Sequence, residues 1–343
     1  MSSTVTPLVR AGIQNVKPYS SARDEFSGTA RIFLDANENP FPTLYNRYPD
    51  PHQRKLKEKI GALKGVAPNQ IFLGNGSDEA IDLLFRVFCE PKHDLAIIPQ
   101  PTYGMYSVSA SINLVETITV PLTRDFDLDV QAIEHVISQN TKLLFLCSPN
   151  NPSGNLLSRE KMEYVLNIFP GIVVIDEAYI DFAASESWIH ALNIYPRLVV
   201  LQTFSKAWGL AGLRLGMAFA STEIIQWLDR IKPPYNINTL TQQIALEALT
   251  RGTPREQVDV LKKERAALMA ALANLTITEK VYPSDANFVL VKVKDANRVY
   301  QWLLEQEVVV RNRSMVALCE NCLRITVGTP AENQKLIELL NQK

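Results

Sequence analysis

Four short apolar runs mark the middle of the chain: Leu95-Ala-Ile-Ile98, Leu143-Leu-Phe-Leu-Cys147, Ile172-Val-Val-Ile175 and Leu198-Val-Val-Leu201. Each is continuous rather than alternating, which is the pattern of strands buried on both faces of a parallel sheet. Amphipathic stretches separate these runs from about residue 70 to 220, so the pattern predicts an α/β domain, a mainly parallel sheet sandwiched by helices. Every run ends in polar or turn residues: Pro99-Gln-Pro-Thr-Tyr103, Ser148-Pro-Asn-Asn-Pro-Ser-Gly154, Asp176-Glu-Ala-Tyr179 and Ser205-Lys206. Ligands of open α/β sheets lie outside the carboxyl ends of the strands. These four segments are therefore expected to converge on one site.

The pattern breaks at Ile231-Lys-Pro-Pro-Tyr-Asn-Ile-Asn238, because Pro233-Pro234 cannot sit inside a helix. Beyond it the sequence predicts a long helix from about 239 and a charged helix near 255–274. Strands are expected at Asn287–Val293, Val308–Val310 and Cys322–Val327, which makes a smaller α+β domain. The expected division is an arm at 1–30 that returns to the small domain or a partner subunit, a large domain at 31–235, and a small domain at 236–343.

Composition narrows the function. Of 343 residues, 35 are Lys or Arg and 36 are Asp or Glu, a net charge of -1. No basic face is implied, so nucleic acid is not an expected partner, and an acidic or phosphorylated substrate must be met by individually placed arginines. The N-terminus lacks the basic and apolar regions of a signal peptide. No apolar stretch approaches the ~20 residues that span a bilayer. A cytoplasmic enzyme is expected. Cys89 and Cys147 lie within apolar sequence as small core residues. Cys319-Glu-Asn-Cys322 has the spacing of half a metal site or a redox pair, but it has no second pair and no histidine cluster, so no metal is expected.

The candidate chemistry centres on Thr203-Phe-Ser-Lys-Ala-Trp-Gly-Leu-Ala-Gly-Leu-Arg-Leu-Gly216. Lys206 lies just past the apolar run Leu198–Leu201, with Ser205 beside it and Arg214 eight residues on. A lysine so placed can condense with a cofactor aldehyde while the hydroxyl and guanidinium hold a phosphate. An exposed lysine in a turn would look the same in isolation. Gly74-Asn-Gly-Ser-Asp78 precedes apolar residues at helical spacing (Ile81, Leu84, Phe85, Phe88), with Ser77 as the expected N-cap. A helix opened by small residues offers free amides to an anion. Glu79 stands where a dinucleotide fingerprint needs its third glycine, and no Gly-Lys-Ser/Thr makes a P-loop. Asp176 ends an apolar run, where a carboxylate needs a partner. A protonated pyridine nitrogen is one such partner, and a helix cap is the plain alternative. Tyr179 and Asn151 could donate to a phenolate, and Tyr103 could stack on a ring. Arg324 lies opposite the apolar set of its strand, and Arg311 ends the run Val308–Val310. Two such arginines could clamp an anion.

Assembled in order, these motifs resemble the fold-type I pyridoxal-phosphate aminotransferases, and within them the branch acting on histidinol phosphate. The resemblance runs from near Leu8 to the last helix. It is carried by Asp35-Ala-Asn-Glu-Asn-Pro40, Arg47-Tyr-Pro-Asp50, Gly74–Glu79, Pro101-Thr-Tyr-Gly-Met-Tyr106, Cys147–Gly154, Asp176–Tyr179, Ser205–Trp208 and Leu323-Arg-Ile-Thr-Val-Gly328. It implies a seven-stranded large-domain sheet and pyridoxal 5'-phosphate as cofactor, with Lys206 as its lysine and Asp176 at its ring nitrogen. Tyr179 and Asn151 would meet the phenolate, and Tyr103 the ring face. Gly76, Ser77, Asp78, Ser205 and Arg214 would surround the phosphate, joined by Tyr48 across a homodimer interface. Tyr19, Asn37, Arg311 and Arg324 would hold the substrate, with Arg313 a competitor for the place of Arg311. The implied reaction exchanges an amino group between L-histidinol phosphate and 2-oxoglutarate, giving L-glutamate. Threonine-phosphate decarboxylation and broad aromatic transamination are the alternatives on the same scaffold.

Overall fold

The computed structural model describes residues 4–21, 26 and 30–342. Seven strands make the principal sheet: β1 (Ile71–Asn75), β2 (Leu95–Gln100), β3 (Glu116–Pro121), β4 (Thr141–Cys147), β5 (Ile172–Asp176), β6 (Leu198–Thr203) and β7 (Leu215–Ala220), in the order β1-β7-β6-β5-β4-β2-β3. The four apolar runs are β2, β4, β5 and β6, and these pair in parallel, as does β3 with β2. β7 alone runs antiparallel to both of its neighbours.

The runs are continuous because both faces are covered. Along β4, Leu144 and Leu146 enter one core cluster while Leu143, Phe145 and Cys147 enter the other. β5 and β6 divide in the same way, Val173/Ile175 and Leu198/Val200 against Ile172/Val174 and Val199/Leu201. Every side chain of β5, β6 and β7 is buried. At about 25 cal/mol per Å² of apolar surface removed from water, this double burial is the main stabilising term of the sheet.

The second sheet comprises β8 (Thr278–Val281), β9 (Phe288–Val293), β10 (Arg311–Asn312) and β11 (Cys322–Thr326), antiparallel in the order β10-β11-β9-β8. The helices expected after Asn238 run over Thr239–Arg251 and Arg255–Ala273. Asn238 caps the first by accepting from the Thr241 N–H at 2.9 Å.

Three expectations need correction. Val308–Val310 is not a strand: the Val308 N–H donates to Leu303 O, closing the helix Ala296–Glu305, and pairing begins only at Arg311. Ser77 is not the N-cap: Gly76 (φ 70°) takes the cap position and Ser77 becomes the first helical residue with no side-chain cap bond. Nor does the start of the N-terminal arm, residues 5–10, pack on the small sheet. Val5 and Val9 are buried against the large domain with Phe88 and Trp227, Thr6 bonds Glu223, and the Arg10 N–H donates to Val87 O at 3.0 Å. Two valines spaced for one apolar face find their partners there.

The end of β1 meets β7 very closely. Gly216 lies opposite Gly74, and a Cβ at Gly216 would lie 2.1 Å from Ser77 N and 2.2 Å from Gly76 C. Both obstacles are backbone and cannot swing aside. Gly216→Ala is therefore expected to lose about 1–3 kcal/mol of stability through overpacking, read as a lower midpoint in urea unfolding. An unchanged midpoint would contradict this packing.

Candidate active site

Because β1, β2, β4, β5 and β6 share a direction, their carboxyl ends open on one edge, and β7 starts there. A cavity of about 160 Å³ lies at that edge. Its walls include Gly76, Ser77, Asp78, Tyr103, Asn151, Asp176, Tyr179, Ser205, Lys206 and Arg214, which are all of the expected cofactor contacts except Tyr48.

Asp176, the last residue of β5, forms the floor and is 3 % exposed. Its carboxylate accepts from the Tyr106 hydroxyl at 2.7 Å and from the Ala178 N–H at 3.0 Å. No ion pair reaches it among the described residues, and burial raises its pKa above the ordinary carboxylate range. A buried acid with neutral donors alone is an incomplete arrangement, and a cationic ring would complete it.

Lys206 follows β6 in a turn, open to the cavity that it lines. Its ammonium stands 5.6 Å from the Tyr179 ring centroid. Surrounding protein, and then Arg324, lower its pKa, which favours the neutral amine that nucleophilic and proton-transfer chemistry need. The Tyr179 ring in turn packs edge-on against Phe288 of β9 at 5.1 Å.

At the other end of the cavity Arg214 adopts a left-handed conformation (φ 52°), and its carbonyl accepts from the Gly76 N–H at 3.0 Å. Arg214 pairs with Asp78 at 3.4 Å, and the Tyr103 hydroxyl donates to Asp78 at 3.1 Å. Asp78 therefore holds both side chains in place. Gly76 stands at φ 70°, which side chains rarely adopt, and a Cβ there would lie 2.6 Å from Arg214 Nη2 and push that guanidinium aside. With the free N–H groups at the start of the helix Ser77–Phe88 and the Ser205 hydroxyl, the donor set suits a phosphate.

Arg324, on β11, is half-buried. It donates through Nη1 to Asn151 Oδ1, and its guanidinium lies 5.1 Å over the Phe288 ring. An arginine can only donate, so it holds the oxygen end of the Asn151 amide and leaves Nδ2 for another acceptor. Arg311 is directly opposite Arg324 in the ladder, and Arg313 also lies near it.

Three expected residues lie elsewhere in the chain. Tyr48 stacks on Tyr235 with centroids 4.4 Å apart and shares a separate surface cavity with Asn37. Tyr19 is 73 % exposed beside Pro51 and Lys232. All three belong to coil outside the principal sheet, so their own subunit's topology does not bring them to Lys206.

Tyr106 was not anticipated as a site residue. The signal was present: a strand-end acid needs a donor, and Tyr106 falls one helical turn after Tyr103, where it stacks on Phe145 at 4.8 Å and reaches Asp176. Glu177 was also missed. Buried next to Asp176, it accepts from Ser187, from the Trp188 N–H at 2.7 Å and from Gln202 at 2.9 Å, tying β5 to β6 beneath the lysine turn. Burial pushes its pKa up to about 6.

A mainly parallel seven-stranded sheet presenting a lysine, a buried strand-end aspartate and a phosphate cradle at one edge defines a fold-type I aminotransferase. The chain belongs to the aminotransferase class I and II family, whose profile matches residues 37–340. It is 54 % identical to a histidinol-phosphate aminotransferase of Cytophaga hutchinsonii over 99 % of each chain. It is 55 % identical to one from Parabacteroides distasonis over 97 % of each. Among solved structures, the histidinol-phosphate aminotransferase from Clostridium acetobutylicum superposes with a TM-score of 0.80 at 25 % identity, over 86 % of this chain and 90 % of that one.

Proposed function

We propose that the protein is a pyridoxal-phosphate-dependent aminotransferase that moves an amino group between L-histidinol phosphate and 2-oxoglutarate in histidine biosynthesis. The products are imidazole-acetol phosphate and L-glutamate. The observation that carries the chemistry is Asp176: a buried carboxylate without a cation, on the floor of the cavity that Lys206 lines. The substrate rests on full-length identity above 50 % to proteins of that activity.

The residues fit the cofactor. Ser77, Ser205, Arg214 and the amides after Gly76 would hold its phosphate, Asp176 its ring nitrogen, Asn151 Nδ2 and Tyr179 its phenolate, and Tyr103 one ring face. Bound pyridoxal phosphate supplies an aldehyde for the substrate amine and a cationic ring that accepts the electrons left when the Cα–H bond breaks. Lys206, whose pKa burial and Arg324 lower, would act as the base that takes the substrate's Cα proton. Asp176 would hold the ring nitrogen in its protonated form. Asn151 links this end to the substrate, because the same amide that meets the cofactor also braces Arg324. Arg324 then binds the anionic end of whichever substrate enters.

Arg324→Ala is expected to raise KM for both substrates about 10- to 150-fold, the loss of a hydrogen-bonded charge of about 1.5–3 kcal/mol, while cofactor affinity changes little. An unchanged KM for histidinol phosphate would remove Arg324 from the site. A homodimer is part of the same reading. The segment bearing Tyr48 exposes Ile32, Leu34, Phe41 and Leu44, with Leu34 and Leu44 each 87 % exposed. A second copy covering them would carry Tyr48 toward the neighbouring cradle.

The direct test adds L-histidinol phosphate alone to purified holoenzyme. Conversion of bound cofactor to pyridoxamine phosphate, with one equivalent of keto product, supports the reading. No conversion, with carbon dioxide released from phosphothreonine, would replace it with a decarboxylase.

A further inference from the structure

The site-facing side of the small sheet carries more positive charge than a two-arginine clamp requires. In the β10–β11 ladder Arg311 stands opposite Arg324 and Asn312 opposite Leu323. The Arg313 N–H continues the pairing by donating to Cys322 O at 2.8 Å. Directly opposed residues share a face of a sheet, and so do residues two apart along one strand. Arg311, Arg313 and Arg324 thus lie on one face, away from Leu323, which is buried in the small-domain core with Val289 and Val291.

These guanidiniums lack ordinary partners. No carboxylate pairs with any of the three among the described residues. Arg324 has its brace in Asn151 and Phe288, whereas the Arg313 side chain forms no hydrogen bond among the described residues. The Nε atoms of Arg313 and Arg324 are both buried without an acceptor. The three also act on one another: Arg313 is the strongest charge lowering the Arg324 pKa, and Arg311 the strongest lowering that of Arg313. Arg324 reaches Asn151 on the cavity wall and lies over Phe288, against which the cavity residue Tyr179 packs, so this face of the small sheet adjoins the reacting end. Three neighbouring guanidiniums, two of them with a buried Nε that has no acceptor, are organised for an anion of more than one charge.

We propose that Arg313 is a third arm of the substrate-anion site that reads the second negative charge of the phosphomonoester. A carboxylate offers one charge and two oxygens, which two forks satisfy. A phosphate monoester near neutral pH offers three terminal oxygens and between one and two charges, with a second pKa near ~6. Arg313 thereby favours histidinol phosphate over the carboxylate partner that shares the pocket. This rests on the substrate reading above, and goes beyond it by naming what separates the two substrates.

The test follows two half-reactions of holoenzyme separately, with L-histidinol phosphate and with L-glutamate, from pH 5 to 8, for wild type, Arg313→Gln and Arg313→Lys. In wild type the second-order rate constant for histidinol phosphate, divided by that for glutamate, should rise as the phosphate loses its second proton near pH ~6. Arg313→Gln should lower this ratio about 10- to 100-fold at pH 8 and flatten its rise. Arg313→Lys, which keeps the charge but not the fork, should fall between the two and keep the rise. Equal losses with both donors would make Arg313 structural and overturn the proposal, as would a wild-type ratio that is flat across pH 6. Should the glutamine variant fail to fold, the lysine variant and the wild-type profile still decide. A wild type that reacts with glutamate and not with histidinol phosphate would instead sink the substrate reading itself.

Discussion

Lys206→Ala is expected to lower turnover by at least about 10⁴-fold, because on the proposed reading one substitution removes both the nucleophile that would hold the cofactor and the base that would move the proton; proton transfer alone is worth about 10²–10⁴. Unfolding will not account for the loss. Burial and Arg324 lower the lysine's pKa, so the charged ammonium costs stability at every pH below its folded pKa and ceases to do so only at high pH. Alanine removes that cost, and the variant should melt no lower than wild type at neutral pH. Arg214, Ser205 and the amides after Gly76 remain, so pyridoxal phosphate should still bind, though reversibly. Borohydride treatment followed by peptide mass analysis should find cofactor fixed to Lys206 in wild type and nowhere in the variant. Wild-type turnover in Lys206→Ala would end the functional proposal.

Asp176→Asn should reduce turnover about 10²- to 10⁴-fold, matching the roughly 3–5 kcal/mol lost when one partner of a buried ion pair is removed. The same substitution should not weaken the cofactor-free protein. Burial raises the Asp176 pKa in the folded state. Folding therefore binds protons there, and the ionised carboxylate becomes a cost as pH rises past its unfolded value. Asparagine is neutral and similar in shape: its Oδ1 can keep accepting from the Ala178 N–H, while its Nδ2 donates to the Tyr106 hydroxyl, which turns from donor to acceptor. At pH 7 the cofactor-free variant is expected to be at least as stable as wild type, while the stabilisation gained on adding pyridoxal phosphate shrinks. A variant that loses stability without cofactor yet keeps its turnover would show that Asp176 braces the strand end and does not serve the ring.

How much of this was legible beforehand follows from the range of the interactions. The four apolar runs became β2, β4, β5 and β6 because a strand buried on both faces must be apolar at every position, a local requirement visible in any window of five residues. β1 and β3 were harder: β1 ends in Gly-Asn beside the cradle, and β3 is an edge strand with only Val120 buried. β7 was hidden inside the lysine motif, where Gly216 answers to backbone contact with Gly76 rather than to any strand preference. Val308–Val310 has strand composition but lies against the end of a helix. The seat of the arm's first residues on the large domain was not legible because Val5 and Val9 state only that they need burial, and the surface that receives them belongs to residues some eighty and more than two hundred positions away.

For this protein, the sequence by itself determined the four continuously apolar strands β2, β4, β5 and β6, the positions of Asp176 and Lys206 at or just past strand ends, and the family that their ordered motifs resemble. These depend on side-chain chemistry at fixed spacings along the chain. The tertiary structure decided that Asp176 meets Tyr106 and no cation among the described residues, and that Asp78 holds Arg214 and Tyr103. It also set Asn151 as the brace of Arg324, and placed Arg313 beside Arg311 on one face of the small sheet. Each is a contact between residues that only folding makes neighbours, where the electrostatic energy depends on distance and burial and neither is written in the spacing.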